Sequence, residues 1–273
     1  MAISDISLTS GMRSNLLQLQ GTSKLIDRTQ ERLSTGKQVN SALDNPTNFF
    51  AAQAHQNRAS DFSARKDAMG EAIQNVKAAD AGITAITSLV NAAKGLAEAA
   101  LGTANTTDRS AFADQYAVIQ TQISTLASDS GYRGTNLLGG AASSLTVNFN
   151  ETGTATLTVT GVDGSATGLG VADTVGAWAA DANITASQTG LTTATNNLRA
   201  AAKSLAGNLN IITTRQNFTD QMIGTLQTGS DNLTLADMNN EGANMLMLQT
   251  RQSLGTTALS LSSQAAQSVL RLF

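Results

Sequence analysis

Both ends of this chain are written as long apolar seams, and no single partner helix can cover them. From Met238 the C-terminal seam runs Met238, Met245, Leu248, Gln252, Gly255, Leu259, Ser262, Ala266, Val269, Phe273. After the first step of seven, the spacing alternates three and four, the heptad signature of a helix packed on helices. The N-terminal seam runs Leu8, Met12, Leu16, Leu19, Ser23, Ile26, Gln30, Leu33, again mostly by threes and fours. From Thr234 to the last residue the only charges are Asp237, Glu241, Arg251 and Arg271. Leu246, Leu254, Leu261 and Leu270 fall off the seam and widen the apolar surface to most of the helix. A helix apolar nearly all round must be buried, so the pattern demands several neighbours.

Composition narrows what those neighbours could serve. Aromatics make up 4% of the 273 residues and charged residues 14%, against 41% hydrophobic residues. Small side chains and few rings suit close helix packing better than a large cofactor pocket. The formal net charge of -3 argues against nucleic acid, which needs a concentrated basic face. Arg13, Lys24, Arg28, Arg32, Lys37, Arg58, Arg65 and Lys66 give the N-terminal third a basic excess. Asp5, Asp27, Glu31 and Asp61 interleave with it, which reads as a solvated helix face. There is no cysteine, hence no disulfide scaffold and no thiolate metal site. The start, Met1-Ala2-Ile3-Ser4-Asp5-Ile6, lacks the basic and apolar regions of a cleaved signal. No apolar run is long enough to span a membrane. By these signals alone the chain would stay in the cytoplasm.

Along the chain, a first helix is predicted over roughly Ser4 to Ser34, closing near Gly36. The connector that follows ends at Pro46, the only proline, which pushes Asn45 out of the helical region. A second helix is predicted from about Asn48 to Leu101, with Met69, Ile73, Val76, Asp80, Ile83 and Val90 on one stripe. At 1.5 Å per residue it would span about 80 Å. Thr107 or Asp108 is the expected N-cap of a third helix, carrying Phe112, Tyr116, Ile119, Ile123 and Leu126 and ending at Gly131. Leu145, Val147, Phe149 and then Ala155, Leu157, Val159 alternate on either side of Glu151-Thr152-Gly153, a β-hairpin pattern. Helix returns near Thr185, which makes a capping-box pattern with Gln188. Its stripe is Leu198, Ala202, Leu205, Leu209, Ile212, Gln216, Thr219, Ile223, Leu226, with Gly229 as the expected end. Thr234 and Asp237 repeat the capping-box pattern before the terminal helix. The fold class is therefore mainly α: a long antiparallel helical rod with terminal coiled-coil helices and a small β-hairpin insert.

The chemistry of catalysis is missing. His55 is the only histidine, and its context, Gln53-Ala54-His55-Gln56-Asn57, holds no HExxH. No GxSxG elbow occurs, and Gly168-Leu169-Gly170 lacks the third glycine of a phosphate cradle. The carboxylates are scattered on helix faces, where solvation or i,i+4 pairing explains them. The expectation is a protein that is not an enzyme and has no cofactor and no metal.

Three motifs then stand in order. Leu33-Ser34-Thr35-Gly36-Lys37-Gln38-Val39-Asn40-Ser41-Ala42-Leu43-Asp44-Asn45-Pro46 resembles the N-terminal signature of bacterial flagellins. Tyr132-Arg133-Gly134-Thr135-Asn136-Leu137-Leu138 resembles the family's F-N-G-x-x-L-L turn. Gly255 to Leu259, then Gln264 to Phe273, resembles its G-x-x-x-L…Q-x-x-Q-x-V-L-x-L-[LF] ending. The likeness covers about 1–140 and 185–273, and is nearest in texture to alphaproteobacterial flagellins of the Caulobacter type.

What the resemblance implies is a filament subunit. The expected division is 1–46 and 231–273 as the core helices with the connector, 47–140 and 185–230 as rod, and 141–184 as the variable outer insert. The self-assembly residues it implies are Leu8, Met12, Leu16, Leu19, Ile26, Leu33, Met238, Met245, Leu248, Leu259, Ala266, Val269 and Phe273. The implied partners are further copies of the chain, an export chaperone, and hook-junction and cap proteins, with no nucleic acid and no membrane. Export through the flagellum's own channel would place the protein outside the cell without a cleaved signal. One stretch departs from the family: Asn91-Ala92-Ala93-Lys94-Gly95-Leu96-Ala97-Glu98-Ala99 has Ala92 where a receptor-read arginine stands in many flagellins, so weak Toll-like receptor activation is expected. A hook–filament junction protein has similar ends and is the alternative within the same class. A metallopeptidase grafted on such a chain is opposed by the missing HExxH, and a free coiled-coil module would keep its termini protected in dilute monomer.

Overall fold

In the computed structural model of the chain, residues 10–270 are described, the side chains of Val269 and Leu270 excepted. They form α1 (Ser10–Thr35), α2 (Pro46–Leu101), α3 (Thr106–Asp129), β1 (Leu145–Asn148), β2 (Thr156–Val159), α4 (Ala166–Leu169), α5 (Asp181–Thr234) and α6 (Met238–Leu270). The molecule is mainly α with one small antiparallel hairpin. Two compact units divide it, Met1–Asn57 with Thr225–Phe273, and Arg58–Gly224.

The larger unit is organised by heptads. On α2 an unbroken alternation of three and four is buried from Met69 to Ala100, through Ala72, Val76, Ala79, Ile83, Ile86, Val90, Ala93 and Ala97, and Ala59, Phe62, Asn75 and Gly82 are buried besides. On α5 Ile184, Ser187, Leu191, Ala194, Leu198, Ala201, Leu205, Ile212 and Thr219 keep the same period. Ala72, Ala79, Ala93 and Ala100 on α2 and Ala194 and Ala201 on α5 let the backbones approach, and larger apolar residues at most positions between them fill the space. The stripe read from the sequence is right at Met69, Val76, Ile83 and Val90, but Asp80 is exposed and Ala79 takes the inward place.

Polar pairs show the directions. Lys66 Nζ bonds Asp220, and one turn further along α2 Gly70 lies against Gln216, one turn back on α5, so α2 and α5 are antiparallel. Arg109, at the start of α3, is buried and donates to Asp181 Oδ1 at 2.5 Å, to the Ala179 carbonyl and to the Thr103 carbonyl. The start of α3 thus meets the start of α5. At the other end of α3, Asn136 Nδ2 donates to the carbonyls of Ala127 (2.8 Å) and Ser128 (3.0 Å), while its Oδ1 accepts from Leu138 N–H. One side chain satisfies carbonyls that the helix end leaves open and seats buried Leu137 and Leu138.

The hairpin pairs Leu145 with Val159 and Val147 with Leu157, as the alternation predicts. Val147, Phe149 and Val159 face the helical core. Beyond the hairpin, Gly176, Ala177 and Trp178 take φ of +57°, +46° and +55° in succession. For the two residues that carry a Cβ this costs on the order of 1–3 kcal/mol each. Trp178 holds the turn in place: it is buried against Tyr116 (centroids 4.9 Å apart) and its Nε1 donates to Ser187 Oγ at 3.0 Å. Burial pushes the Tyr116 hydroxyl up to about 12, so it stays a donor, to the Ala172 carbonyl at 3.1 Å.

Three helix boundaries differ from the sequence reading. The third helix is capped by Asn105, whose side chain accepts from Thr107 N–H. The fifth begins at Asp181, so Thr185 lies inside it and donates to the Asp181 carbonyl. It also runs through Gly229 to Thr234. That last turn is held from the side: Ser230 Oγ donates to the Ala52 carbonyl (3.3 Å) and Asn48 Nδ2 to the Leu233 carbonyl (3.4 Å). Thr234 therefore closes α5, and Asp237 alone caps α6 by accepting from Asn239 and Asn240 N–H.

Candidate assembly surface

The smaller unit holds the paired helices α1 and α6. Two contacts set their register: Arg32 Nη1 bonds Glu241 Oε1 at 2.9 Å, and Gly255 faces Leu19. The helices are therefore antiparallel. The sides turned away from solvent carry Met12, Asn15, Leu19, Thr22, Ile26, Thr29 and Leu33 on α1, and Glu241, Met245, Leu248, Gly255, Leu259, Ser262 and Ala266 on α6. Met12, Thr29, Glu241 and Leu248 are the most buried of these.

The heptad is the expected one, but its phase on α1 is offset by one residue at every second step. Asn15, Thr22 and Thr29 face inward where the apolar reading chose Leu16, Ser23 and Gln30. Small polar side chains in this seam leave part of the apolar surface outside. Of the residues assigned to self-assembly, Met12 and Leu248 are buried, and Leu19, Ile26, Leu33, Met245, Leu259 and Ala266 are half-buried. Leu16 and Met238 are exposed. Leu8 and Phe273 lie outside the described residues, as does the side chain of Val269.

The structure adds a second stripe. Met247, Leu254 and Leu261 repeat every seven residues on the uncovered side of α6, and Leu17 and Leu25 project from α1. Leu17, Leu254 and Leu261 keep 68%, 66% and 61% of their surface in solvent. Burying such a leucine is worth roughly 1.5–3 kcal/mol. Leu17, Leu25 and Met247 escaped the sequence reading because it followed one seam only, whereas a second period of seven, displaced from the first, would have found Met247. Between the helices a cleft of about 600 Å³ opens beside Leu19 and Gly255, with Leu25 and Leu254 on its walls and Arg251 contributing its charge.

The connector is fixed by its own hydrogen bonds. Gly36, at φ +69°, closes α1 with its N–H on the Arg32 carbonyl at 2.8 Å. Gln38 N–H donates to the Thr234 carbonyl at 2.7 Å, and Ala236 N–H to the Gly36 carbonyl at 3.0 Å, so the connector is clipped to the α5–α6 junction. Asp44 Oδ2 accepts from the N–H groups of Asn40 and Ser41 and from the Ser41 hydroxyl. The backbone N–H of Ser41, then that of Asn40, holds this carboxyl below the usual aspartate value. Asn45 caps α2 by accepting from Asn48 N–H, with Pro46 as the first helical residue.

Among the described residues no group of three or more histidine, cysteine or acidic side chains is placed to hold a metal ion, and no helix is long and apolar enough to cross a membrane. The surface of this unit offers apolar contact and little other chemistry.

Residues 3–143 match the family described as the bacterial flagellin N-terminal helical region. Over its whole length the chain is 32% identical to flagellin FljM of Caulobacter vibrioides, with both chains fully covered. It is 30% identical to a flagellin of Brucella melitensis biotype 1, over 99% of each. Among solved structures, Bacillus cereus flagellin superposes with a TM-score of 0.47 at 18% identity, over 55% of this chain and 86% of that one.

Proposed function

Because the chain belongs to the bacterial flagellin family, we propose that it is the structural subunit that polymerises into the flagellar filament used for swimming. The observation that supports this most directly is the uncovered stripe Met247–Leu254–Leu261 on α6, beside Leu17 and Leu25 on α1. Polymerisation is the simplest way to cover it, because each added copy brings the same stripe and needs the same cover. Many neighbours are needed: ordering costs roughly 1–2 kcal/mol per residue, against 1.5–3 kcal/mol for each buried leucine or methionine. The assembly is therefore cooperative, and a contact between unlike surfaces extends without closing.

In this reading the assembly residues fall into two sets. Met12, Leu19, Ile26, Leu33, Met245, Leu248, Leu259 and Ala266 hold α1 on α6, and Leu16, Met238 and the second stripe meet other copies. Leu8, Val269 and Phe273, which lie outside the described residues or side chains, are assigned to assembly by their spacing in the sequence alone. The protein leaves the cell through the flagellum's own export channel, with an export chaperone, hook-junction and cap proteins as partners, and it carries out no catalysis.

Electron microscopy of the purified full-length protein under polymerising conditions tests the reading. Long helical filaments are expected. Short caps or only discrete oligomers would instead assign the chain to the hook–filament junction, and failure to polymerise on seeds would overturn the subunit role.

A further inference from the structure

Two features of the larger unit present groups that one chain leaves open to solvent. The first is an aromatic cleft of about 290 Å³, walled by Arg58, Phe62, Phe149, Glu151, Arg215 and Phe218. Arg58 stands 5.3 Å from the Phe62 ring centre and is neutralised by Glu151 at 2.7 Å. Arg215 stands 5.2 Å from the Phe149 ring centre, and among the described residues no carboxylate pairs with it. Phe218 keeps 50% of its surface in solvent.

The second is the left-handed turn before α5. Trp178 anchors it, and it displays Val175 at 63% exposure, two residues from exposed Asp173. Among the described residues the Asp173 carboxylate has one polar contact, with Gln120 Nε2 at 3.4 Å. An apolar knob and a carboxylate thus stand on a turn whose shape is already paid in strain, so little ordering remains on binding.

The two features lie at opposite ends of this unit. Arg58 is its first residue, while the turn adjoins Asp181, which is clasped by Arg109 just past the far end of α2. From Arg58 to Leu101 the helix covers about 65 Å. Unlike patches at opposite ends of one body make a contact that repeats head to tail and does not close.

We propose that the Asp173–Val175 turn of one copy seats in the Arg215–Phe218 cleft of a second copy, the Val175 side chain against the Phe149 and Phe218 rings and the Asp173 carboxylate on the Arg215 guanidinium. The proposal rests on the filament reading and adds to it a contact outside the terminal helices. Hydrophobic fit and charge complementarity select the second copy as occupant: the cleft offers a cation on an aromatic floor, and the turn offers the matching anion beside an aliphatic group.

The chain has no cysteine, which makes cross-linking a clean test. A full-length variant carrying both V175C and F218C is polymerised and treated with a short bis-maleimide. Within one chain the two positions are too far apart to be bridged, so covalent multimers in a ladder are expected from filaments and none from dilute monomer. Filaments that form normally and give no ladder overturn the contact. In parallel, R215E and D173R should each raise the critical concentration by about tenfold, and the double variant should recover to within about threefold of the parent. Failure of the double variant to recover also overturns the contact, and this arm decides if the cysteine variant does not polymerise. Polymerisation of the parent protein separates the two readings: if it forms filaments while the ladder and the charge exchange fail, only the contact proposed here falls, and if it does not polymerise on seeds the filament reading falls with it.

Discussion

Leu19 and Gly255 meet across α1 and α6 so closely that a Cβ on residue 255 would stand 2.6 Å from Leu19 Cδ2. Glycine there is a spacing element rather than a flexible one. Gly255→Ala gains up to about 1 kcal/mol of helix propensity but overpacks the seam by about 1–3 kcal/mol. Filaments of the variant should disassemble at a lower temperature than the parent. Equal or higher thermal stability would show that the helices can separate without cost.

Arg32 and Glu241 lie at the connector end of the same pair, mostly shielded from water, and among the described residues Arg32 Nε finds no hydrogen-bond partner. Removing the acid alone strands a cation. Glu241→Ala should destabilise the unit by about 2–4 kcal/mol, while replacing both residues by methionine should recover most of that loss. Chemical denaturation of filaments checks both, and a double variant no better than the single would refute the account.

The Asp44 carboxyl is held low by backbone N–H bonds from Ser41 and Asn40. With the folded pKa below the unfolded one, its contribution is fully present above the ordinary aspartate value of 3.8 and is lost as pH falls toward the folded pKa. Amide exchange at Asn40 and Ser41, corrected for intrinsic rates, should show constant protection above about pH 5 and a decline below about pH 4. Asp44→Ala should remove the protection at every pH, and a flat profile in the parent would sink the assignment.

A carboxylate in either stripe of α6 should stop assembly by different routes. Leu259→Asp breaks the pairing with α1, whereas Leu254→Asp leaves that pairing and blocks the outer face. Each should abolish filaments while the core around Trp178 keeps its near-ultraviolet signal, and proteolysis of α1 should be faster only in Leu259→Asp. Normal filaments from either variant would remove that stripe from the interface.

Asn136 fastens the end of α3 through three hydrogen bonds. Asn136→Ala should cost about 2–3 kcal/mol by leaving helix-end carbonyls and the Leu138 N–H short of partners. Thermal unfolding of the monomer measures it, and a change below half that size would mean water replaces the side chain.

Periodicity made most of the helical architecture legible. Met69, Val76, Ile83 and Val90 stand where their spacing put them, and so do both strands of the hairpin. The phase of α1 was harder to read, because a leucine at 16 outweighs an asparagine at 15 on any apolar count. Only the partner helix decides which of the two faces inward, and it decides for Asn15. The helix ends at Thr185 and Gly229 were misplaced for a related reason. Local capping preferences are worth about 1 kcal/mol, and tertiary contacts override them: Arg109 engages Asp181, and Ala52 and Asn48 hold the last turn of α5. Leu254 and Leu261 of the outer stripe were legible as apolar residues off the seam, but that they stay uncovered needed the structure, since sequence alone does not say which of several apolar faces one neighbour has already taken.

The seam of alanine and larger apolar residues along α2 and α5 has a mechanical corollary. A seam that repeats every seven residues looks much the same after a slide of one repeat, so apolar packing resists separation of the two helices far better than it resists shear along them. Lys66–Asp220 ties α2 directly to α5, while Glu71–Arg133 and Arg109–Asp181 tie each of them to the α3 segment between. These ion pairs act as dowels that fix the register of an otherwise sliding joint.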